Sequence, residues 1–145
     1  MKKYRAIGLK LTPQRLSIFD YLDGNTEHPS AEDIYRAVSK KFPTMSFATV
    51  YNTLEALKKK GNVLELTIDA DKNRFDPNTA PHHHLICLQC KRIVDIMSVY
   101  EISIPDSEKT DFKVVGNHIE FYGICRLCMK KKPHLKKNGG KNERS

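Results

Sequence analysis

The sequence predicts an α+β fold in two small domains: a unit of three helices and a hairpin, followed by a strand-rich unit with a four-cysteine metal site. Two observations lead to this prediction. Apolar residues follow helical spacing up to Gly61 and alternate with polar residues after it. Beyond that change of period lie two C-x2-C pairs, Cys87 with Cys90 and Cys125 with Cys128. The 145 residues suffice for one domain or two small ones.

Composition excludes several classes of protein. Apolar residues make up 39% and charged residues 29% of the chain, so neither a disordered nor a collagen-like protein fits. Residues 1–10 lack the apolar core of a secretion signal, and no stretch is long enough to span a membrane. We therefore expect a cytoplasmic protein with no membrane partner.

The net charge of +8 is typical of proteins that bind polyanions, but it is unevenly distributed. Residues 1–76 have a net charge of +3, residues 77–129 of −1 and residues 130–145 of +6. The last segment has almost nothing to bury, and we expect a basic, disordered tail there. Charge alone therefore identifies no site.

Capping signals define the first two helices. Thr12, with Pro13 at the first helical position, is a favourable start, and Gly24 is a favourable stop. The second helix begins at Ser30, where Asp33 completes a capping box.

The second helix is expected to end near Phe42, because a proline follows it. Ser46 caps a third helix, which runs to Gly61. The alternating segment 63–68 and the segment 74–76 then flank a polar turn, which is typical of a β-hairpin. Three helices and a hairpin are the elements of a winged helix-turn-helix domain, whose third helix enters the major groove of DNA.

The third helix carries the candidate DNA-reading side chains. With its apolar residues inward, Asn52 lies on the opposite face, flanked by Thr49 and Tyr51. Asn pairs with adenine, a tyrosine ring meets a thymine methyl group, and hydroxyls at a helix start bind phosphate. Alone, such a face would more often be an ordinary solvated surface, but the surrounding elements favour DNA binding. The predicted DNA contacts are Arg15, Ser46, Thr49, Tyr51 and Asn52.

Two prolines and small polar residues at 77–81 are typical of a linker between domains. We therefore predict a DNA-binding domain at 1–76, a hinge at 77–81, a metal-binding dimerisation domain at 82–129 and a tail at 130–145. Within the second domain the patterns predict strands at 85–87, 93–96 and 119–124, and only weakly a helix at 103–112.

The cysteines predict a structural zinc site. Two thiolates from one C-x2-C turn reach a single tetrahedral zinc ion, so Cys87, Cys90, Cys125 and Cys128 together form a complete ligand set. Four thiolates leave no coordination position for a catalytic water, and such a metal stabilises a domain with a small core. Redox dithiols and unligated core cysteines are the alternatives.

A second metal site is predicted around a run of three histidines. In an extended segment His82 and His84 point to one side and His83 to the other. Asp76 lies upstream and Asp95 lies in the next strand, so two carboxylates share this neighbourhood. Imidazole mixed with carboxylate suits Fe2+, Mn2+ or Zn2+. The alternative is an accidental surface run of histidines.

From Leu11 to about Lys130 the assembled pattern resembles the ferric uptake regulator (Fur) family of bacterial metal-dependent repressors. The motifs that carry the resemblance are Leu11-Thr12-Pro13-Gln14-Arg15, His28-Pro29-Ser30-Ala31, Ser46-Phe47-Ala48-Thr49-Val50-Tyr51, Arg74-Phe75-Asp76, His82-His83-His84-Leu85-Ile86-Cys87 and Tyr122-Gly123-Ile124-Cys125. One departure is Lys91, which follows the second cysteine where relatives often have Gly.

The resemblance implies one regulatory Fe2+ or Mn2+ ion per subunit, besides one structural Zn2+. The ligands that it implies are His28, Asp76, His82, His84 and Asp95. Asp at position 95 and Asn at position 52 resemble the peroxide-sensing branch of the family, called PerR. In that branch bound Fe2+ reacts with hydrogen peroxide, and the oxidant adds oxygen to a ligand imidazole, here expected to be His28 or His82, which releases the metal.

The resemblance also implies a homodimer that binds a palindromic double-stranded DNA operator when it is loaded with metal. Because His28 precedes the hinge and His82 follows it, a shared ion would set the angle between the domains. The protein would modify itself without turnover, so we do not expect an enzyme. Three alternatives stay open: an iron-responsive uptake regulator without peroxide sensing, a small metallohydrolase, although no H-E-x-x-H motif is present, and a zinc-ribbon RNA-binding module.

Overall fold

The computed structural model describes residues 8–131. Its first part contains α1 (Pro13–Leu22), α2 (Ala31–Ser39), α3 (Phe47–Lys59), β1 (Leu64–Leu66) and β2 (Arg74–Asp76). Its second part contains β3 (His83–Cys87), β4 (Ile93–Ile96), α4 (Asp106–Lys109), β5 (Glu120–Gly123) and α5 (Arg126–Lys130). The predicted α+β fold is confirmed. None of the helices in the described part of the chain has the length and apolar character needed to cross a bilayer.

Two predictions of domain organisation, the tail and the hinge, remain untested. Nearly all of the predicted tail at 130–145 lies outside the described residues, which end at 131. The hinge at 77–81 and the boundaries on either side of it stay predictions.

Side chains cap α1 and α3 where the sequence indicated. Thr12 Oγ1 accepts a hydrogen bond from the Arg15 N–H at 3.2 Å, and Ser46 Oγ accepts one from the Thr49 N–H at 3.1 Å. Each bond satisfies one of the free N–H groups at a helix start. Gly61 follows α3 with a φ of 75°, a left-handed conformation that glycine adopts without strain.

Helix α2 starts as predicted but ends earlier. The Ser30 N–H donates to Asp33 Oδ2 at 3.0 Å and the Asp33 N–H donates to Ser30 Oγ at 3.1 Å, which completes the capping box. The helix stops at Ser39, so the predicted end near Phe42 is wrong by three residues. The Phe42 N–H donates to the Val38 carbonyl in a closing turn, which packs the Phe42 ring against the core.

The three helices and the hairpin enclose one apolar core. Its buried members are Ile18, Phe19, Leu22, Ile34, Val38, Met45, Val50, Leu54, Leu57, Val63 and Phe75. Fully burying a side chain of the Leu or Phe class contributes about 1.5–3 kcal/mol relative to leaving it exposed. Strands β1 and β2 pair antiparallel, with Leu64 opposite Asp76. The Phe75 N–H donates to the Pro29 carbonyl at 2.8 Å, which ties the hairpin to the turn before α2.

The second sheet has the strand order β4-β3-β5. Strand β3 pairs antiparallel with β4, placing His84 opposite Asp95, and parallel with β5, placing His84 opposite Glu120. A small core of Leu66, Ile86 and Ile93 lies against it. Both neighbours of β3 therefore bring a carboxylate beside His84.

The segment from residue 97 to residue 119 has little regular structure. The weakly predicted helix at 103–112 is reduced to one turn, Asp106–Lys109. Its apolar residues lack helical spacing and Pro105 interrupts them, so no continuous helix face forms. Several of its apolar side chains are exposed, including Val99 at 88% and Val115 at 91%.

Candidate metal centres

Side chains that are distant in sequence converge beside the start of β3. His28 lies in the turn before α2, with a left-handed φ of 53°, which is uncommon for a residue with a Cβ. Asp76 ends β2, and the pairing of β3 with β4 brings His84 and Asp95 together. With His82, just before β3, these residues form the group that we call the His/Asp cluster.

Each carboxylate of the His/Asp cluster faces all three imidazoles. Asp76 Oδ2 lies 3.4 Å from His28 Nε2, 2.8 Å from His82 Nε2 and 3.1 Å from His84 Nε2. Asp95 Oδ1 lies 2.8, 3.1 and 3.4 Å from the same nitrogens, in that order. The Asp95 side chain is 16% exposed and the others are at most 1% exposed. The structure thus brings together all five residues that the family resemblance implied as ligands.

The protonation of His82 shows that this arrangement fits a cation. Its Nδ1 lies 2.7 Å from the carbonyl oxygen of Ala80, which can only accept, so Nδ1 carries the proton. In a neutral ring Nε2 is then a bare lone pair, aimed at the oxygens of Asp76 and Asp95. Lone pairs directed at carboxylates need a proton or a metal ion between them. Three neutral imidazoles and two carboxylates balance a divalent ion, and this donor set suits Fe2+ and Mn2+.

In the absence of a metal ion, protons hold the cluster together. Burial disfavours charge on His28, but hydrogen bonds to Asp76 and Asp95 outweigh it and raise the pKa of His28 above 6.5. Burial also opposes charge on His82, and a backbone carbonyl and Asp76 raise its pKa. Although burial opposes its ionisation, hydrogen bonds from the imidazoles hold the pKa of Asp76 well below its usual range. A metal that enters the cluster therefore displaces protons.

The histidines differ in the partner of Nδ1, which is the ring nitrogen that faces away from the carboxylates in the cluster and is called the outer nitrogen below. His84 Nδ1 lies 2.9 Å from Nε2 of His118, whose Nδ1 is 3.9 Å from the Glu120 carboxylate. His28 Nδ1 is buried without a hydrogen-bond partner among the described residues. His83 lies outside the cluster, and its Nδ1 accepts a hydrogen bond at 2.9 Å from a backbone N–H just before β5.

Four cysteines meet at the other end of β3. Cys87 ends β3 and Cys90 lies in the following turn, whereas Cys125 caps α5 and Cys128 lies within it. The Sγ atoms of Cys90 and Cys125 are 3.8 Å apart, and the four ligand atoms all lie within 4.8 Å of one another. Thiolates around one tetrahedral zinc ion are separated by about 3.8 Å. This four-cysteine cluster therefore has the size of a single metal site.

The thiols of this cluster differ in acidity. Burial opposes ionisation of Cys87, yet the backbone N–H groups of Cys125 and Cys90 donate to its Sγ and lower its pKa to about 6. Burial and the neighbouring thiols raise the pKa of Cys128 to about 12. Lys91, where relatives often have Gly, adopts a φ of 68°, so the turn keeps a left-handed residue without glycine.

Four of the five predicted DNA contacts lie at the start of α3. Ser46 Oγ is 3.0 Å from Thr49 Oγ1, so both hydroxyls lie in the first turn. Tyr51 is 49% exposed, and Asn52 is also exposed. Arg15 is in α1, where its Nη1 donates to a backbone carbonyl five residues earlier at 2.7 Å. These DNA contacts stay predictions.

Two residues that contact the clusters, Arg74 and His118, had no individual role predicted from the sequence. Arg74 appeared only as part of a motif, but it is buried and donates to Asp69 Oδ2 at 2.9 Å. The signal that could have pointed to Arg74 was its place in a short hairpin strand, directly beside an apolar residue. His118 has no such signal, because its contact with His84 depends on the parallel pairing of β3 and β5.

Sequence comparison shows a family likeness across most of the chain. A profile described as the ferric uptake regulator family matches residues 6–122. The peroxide operon regulator of Bacillus subtilis strain 168 is 41% identical over 136 residues, covering 92% of this chain and 94% of that protein. The peroxide-responsive repressor PerR of Staphylococcus aureus strain Mu50 is 43% identical over 129 residues, covering 88% of this chain and 87% of that protein.

Solved structures show the same fold. The Helicobacter pylori ferric uptake regulator superposes with a TM-score of 0.67 at 23% identity, covering 88% of this chain and 87% of that one. The Vibrio cholerae ferric uptake regulator superposes with a TM-score of 0.64 at 26% identity, covering 86% of this chain and 98% of that one. These likenesses confirm the predicted order of a winged helix-turn-helix followed by a small sheet.

Proposed function

Because the chain belongs to the ferric uptake regulator family of metal-dependent repressors, we propose that it is a peroxide-sensing repressor of the PerR type, acting as a homodimer in the cytoplasm. The observation that carries this proposal is the His/Asp cluster, in which His28, beside the DNA-binding helices, meets Asp95 of the second sheet. Relatives named as peroxide regulators, at 41% and 43% identity, support the peroxide-sensing branch. These relatives are transcription regulators, and we propose no catalytic turnover.

The two clusters would hold different metals, one of each per subunit. We assign structural Zn2+ to Cys87, Cys90, Cys125 and Cys128, whose closed ligand set would join the end of β3 to the start of α5. The core beside this sheet is small, so the zinc would contribute much of its stability. We assign regulatory Fe2+ or Mn2+ to His28, Asp76, His82, His84 and Asp95.

The regulatory metal would act on the angle between the two parts of the chain. Its ligands lie on both sides of residues 77–81, so occupancy would favour one arrangement of the helices relative to the second sheet. In a dimer that arrangement sets the separation of the two α3 helices, which must match half-sites about one helical turn apart. Without the metal, phosphate contacts would remain, but paired readout of bases would be lost.

The surface that a second copy would cover lies on β5 and on the segment that precedes it. Exposed apolar side chains gather on β5 and on the segment before it, among them Val99, Phe112, Val115 and Tyr122. Many exposed large apolar side chains in one stretch of the chain are typical of a protein interface. We propose that the homodimer forms here, leaving α3 free to meet a palindromic double-stranded operator.

Hydrogen peroxide would be the signal. Bound Fe2+ would supply the redox chemistry that cleaves the O–O bond of hydrogen peroxide. On the chain, one peroxide oxygen would enter a C–H bond of a ligand imidazole, and the other would leave as water. His28 and His82 are the proposed targets, as the family resemblance implies. Each has a carboxylate oxygen 2.8 Å from its Nε2, whereas the nearest one to His84 Nε2 is at 3.1 Å. An oxidised ring is a weaker ligand, so the metal would leave and the operator would be released.

Mass spectrometry of peroxide-treated protein tests this proposal. The full chain is loaded with Fe2+ without oxygen, exposed to hydrogen peroxide, digested and fragmented to assign the oxidised residue. The expected result is a single-oxygen adduct on His28 or His82 and loss of binding to a palindrome selected from random duplex DNA. Protein loaded with Mn2+ is the control and should show far less of both effects.

Two histidines outside the His/Asp cluster serve as internal controls. His83 directly follows His82 but points away from the cluster, and His118 lies against the side of the His84 ring that faces away from the carboxylates. An adduct spread equally over these histidines would contradict site-specific chemistry. Metal-dependent DNA binding with no adduct on any histidine would instead identify an iron-responsive uptake regulator.

A further inference from the structure

Arg74 links three separate turns of the molecule. It is the first residue of β2, and only 8% of it is exposed. Its Nε donates to the His28 carbonyl at 2.6 Å, its Nη1 to Asp69 Oδ2 at 2.9 Å and its Nη2 to the Lys91 carbonyl at 3.1 Å. One guanidinium therefore joins the turn before α2, the loop of the β1–β2 hairpin and the turn between β3 and β4.

Both carbonyls that Arg74 contacts belong to residues with an uncommon backbone. His28 has a φ of 53° and Lys91 a φ of 68°, and within residues 8–131 the only other non-glycine residue with a positive φ is Thr110. A side chain with a Cβ disfavours this conformation, so it persists where surrounding contacts hold it. The guanidinium of Arg74 supplies such a contact to both residues.

These two residues belong to different metal clusters. His28 directs Nε2 into the His/Asp cluster, at 2.8 Å from Asp95. Lys91 directly follows Cys90, and its N–H donates to the Cys87 carbonyl at 2.9 Å, so it is part of the turn that presents two thiols. The connection between the clusters thus runs from one left-handed residue through Arg74 to the other.

Asp69 fixes the orientation of the guanidinium. Its side chain is fully buried and forms an ion pair with Arg74, whose side chain is 10% exposed. The Asp69 carboxylate also accepts from the Asp71 N–H at 2.8 Å, which anchors it in the hairpin loop. A buried, charge-paired arginine has a rigid fork geometry that a lysine ammonium does not reproduce.

We propose that Arg74 is a positioning residue that couples the His/Asp cluster to the four-cysteine cluster. This inference rests on the proposed function, because it requires a metal in each cluster. A metal ion held by His28 restrains the backbone of His28, and through Arg74 it restrains Lys91 and the turn that contains Cys90. Linkage requires the converse as well: an ordered cysteine turn favours the backbone of His28 that binds metal.

Alkylation of the exposed Cys90 measures how firmly this turn is held. The zinc-loaded full chain is treated with iodoacetamide with and without saturating Mn2+, and the rate at Cys90 is followed by mass spectrometry. Mn2+ should slow the reaction about fivefold or more in the wild-type protein, which is the lower end of typical coupling between sites. In Arg74→Gln the protection should disappear, and Arg74→Lys should restore only part of it.

Control variants separate this inference from the proposed function. Arg92→Gln changes an exposed arginine next to Lys91 and should behave like wild type. In His82→Ala, Mn2+ should give no protection, and equal protection in His82→Ala and wild type would contradict the proposed function. A third outcome is that Mn2+ protects Cys90 fully in Arg74→Gln but not in His82→Ala. This outcome would overturn the coupling role of Arg74 while the proposed function stands.

Two further measurements keep the test decisive. Zinc content and thermal melting show which variants have folded, and if Arg74→Gln does not fold, Asp69→Asn takes its place. That variant keeps the arginine but loses its charge partner, so Mn2+ protection should be reduced and not abolished. Unreduced protection in a folded Asp69→Asn variant, or no protection in wild-type protein that binds Mn2+, would overturn the inference.

Discussion

His28 and Asp95 are 67 residues apart in the sequence, and His28 Nε2 lies 2.8 Å from Asp95 Oδ1. The first residue precedes α2 and the second lies in β4, so the contact joins the helical part of the chain to the second sheet. Asp95 is also the most exposed member of the His/Asp cluster, at 16%. It is therefore the member of the cluster whose replacement disturbs the packing least.

Replacing Asp95 with Asn should weaken regulatory metal binding while the protein stays folded. The change removes one of two negative charges that face the imidazoles, with little change in volume. We expect Mn2+ affinity to fall by about tenfold or more, since even the loss of a residue that only supports a ligand costs 10- to 100-fold. Calorimetric titration of zinc-loaded protein measures it. Asp106→Asn, at a 97% exposed carboxylate, is the control, and equal affinity in the two variants would contradict the assignment.

Metal affinity should increase as the pH rises from 6.5. The pKa values of His28 and His82 are raised above 6.5, so in metal-free protein both rings retain protons that a metal must displace. Each displaced proton makes affinity rise about tenfold per pH unit until the pH exceeds the raised pKa. Mn2+ titrations at a series of pH values check this, and a flat profile would refute it.

The stability of metal-free protein should decrease as the pH rises above 6.5, whereas the metal affinity increases. A raised imidazole pKa stabilises the folded state fully below the unfolded pKa of about 6.5, and this contribution is lost as the pH rises through the folded value. The contribution of His28 and His82 to melting temperature should therefore decrease above pH 6.5. The difference in melting between wild type and His82→Ala, measured across this range, isolates the contribution of His82. A difference that grows with pH would have the wrong sign.

Replacing His118 should weaken metal binding through His84. Metal-bound histidines commonly donate their outer ring N–H to an acceptor that fixes the ring, and here the outer nitrogen of His84 meets His118 at 2.9 Å. We expect His118→Ala to lower Mn2+ affinity about tenfold, and His118→Gln, which keeps an acceptor, to recover part of it. Asn117→Ala is the control. Unchanged Mn2+ affinity in His118→Ala would contradict this supporting role of His118.

Removing one cysteine should release zinc and destabilise the second sheet. Cys90→Ser leaves three thiolates, and a structural zinc ion contributes directly to folding free energy. A loss of about 2 kcal/mol would lower the melting temperature of a domain this small by roughly 8–16 °C. Elemental analysis and calorimetry measure both effects. Gln89→Ser, at the exposed neighbour, should retain zinc, and zinc retention by Cys90→Ser would contradict a four-thiolate site.

Two exposed residues of α3 should affect DNA binding differently. Asn52→Ala should weaken binding to a selected palindrome by about 1–3 kcal/mol and leave non-specific binding nearly unchanged, because Asn reads base edges. Lys59→Ala should weaken all DNA binding similarly and lower the salt dependence by about one unit. Fluorescence anisotropy at several salt concentrations distinguishes them. Identical effects of the two substitutions would contradict base readout by Asn52.

Features that depend on nearby residues were predictable from the sequence. The caps at Thr12, Ser30 and Ser46 each require a hydroxyl and a backbone N–H three residues later, so local sequence determines them. The end of α2 was predicted too late, because the ring of Phe42 packs on a core formed by distant segments. Side chains alternate in direction along an extended segment, and this alternation also predicted that His82 and His84 point to one side.

Features that depend on the tertiary fold were not predictable in the same way. His28 entered the ligand set only through family resemblance, since nothing in its turn indicates that its ring reaches β3. The role of Arg74 depends on the carbonyl of Lys91, 17 residues away. Every residue has a carbonyl, so no residue type marks this acceptor in the sequence.

The four-cysteine cluster joins two cysteine pairs that lie far apart in the sequence, and this separation imposes an order of events on each new chain. Cys90 leaves the ribosome 35 positions ahead of Cys125. At a synthesis rate of about 5–20 residues per second, the first two thiols wait roughly 2–7 s for the other pair. During this interval the nascent chain presents only two of the four thiols, and these two are open to oxidation. The speed of translation, together with the supply of zinc, would therefore determine how many chains mature.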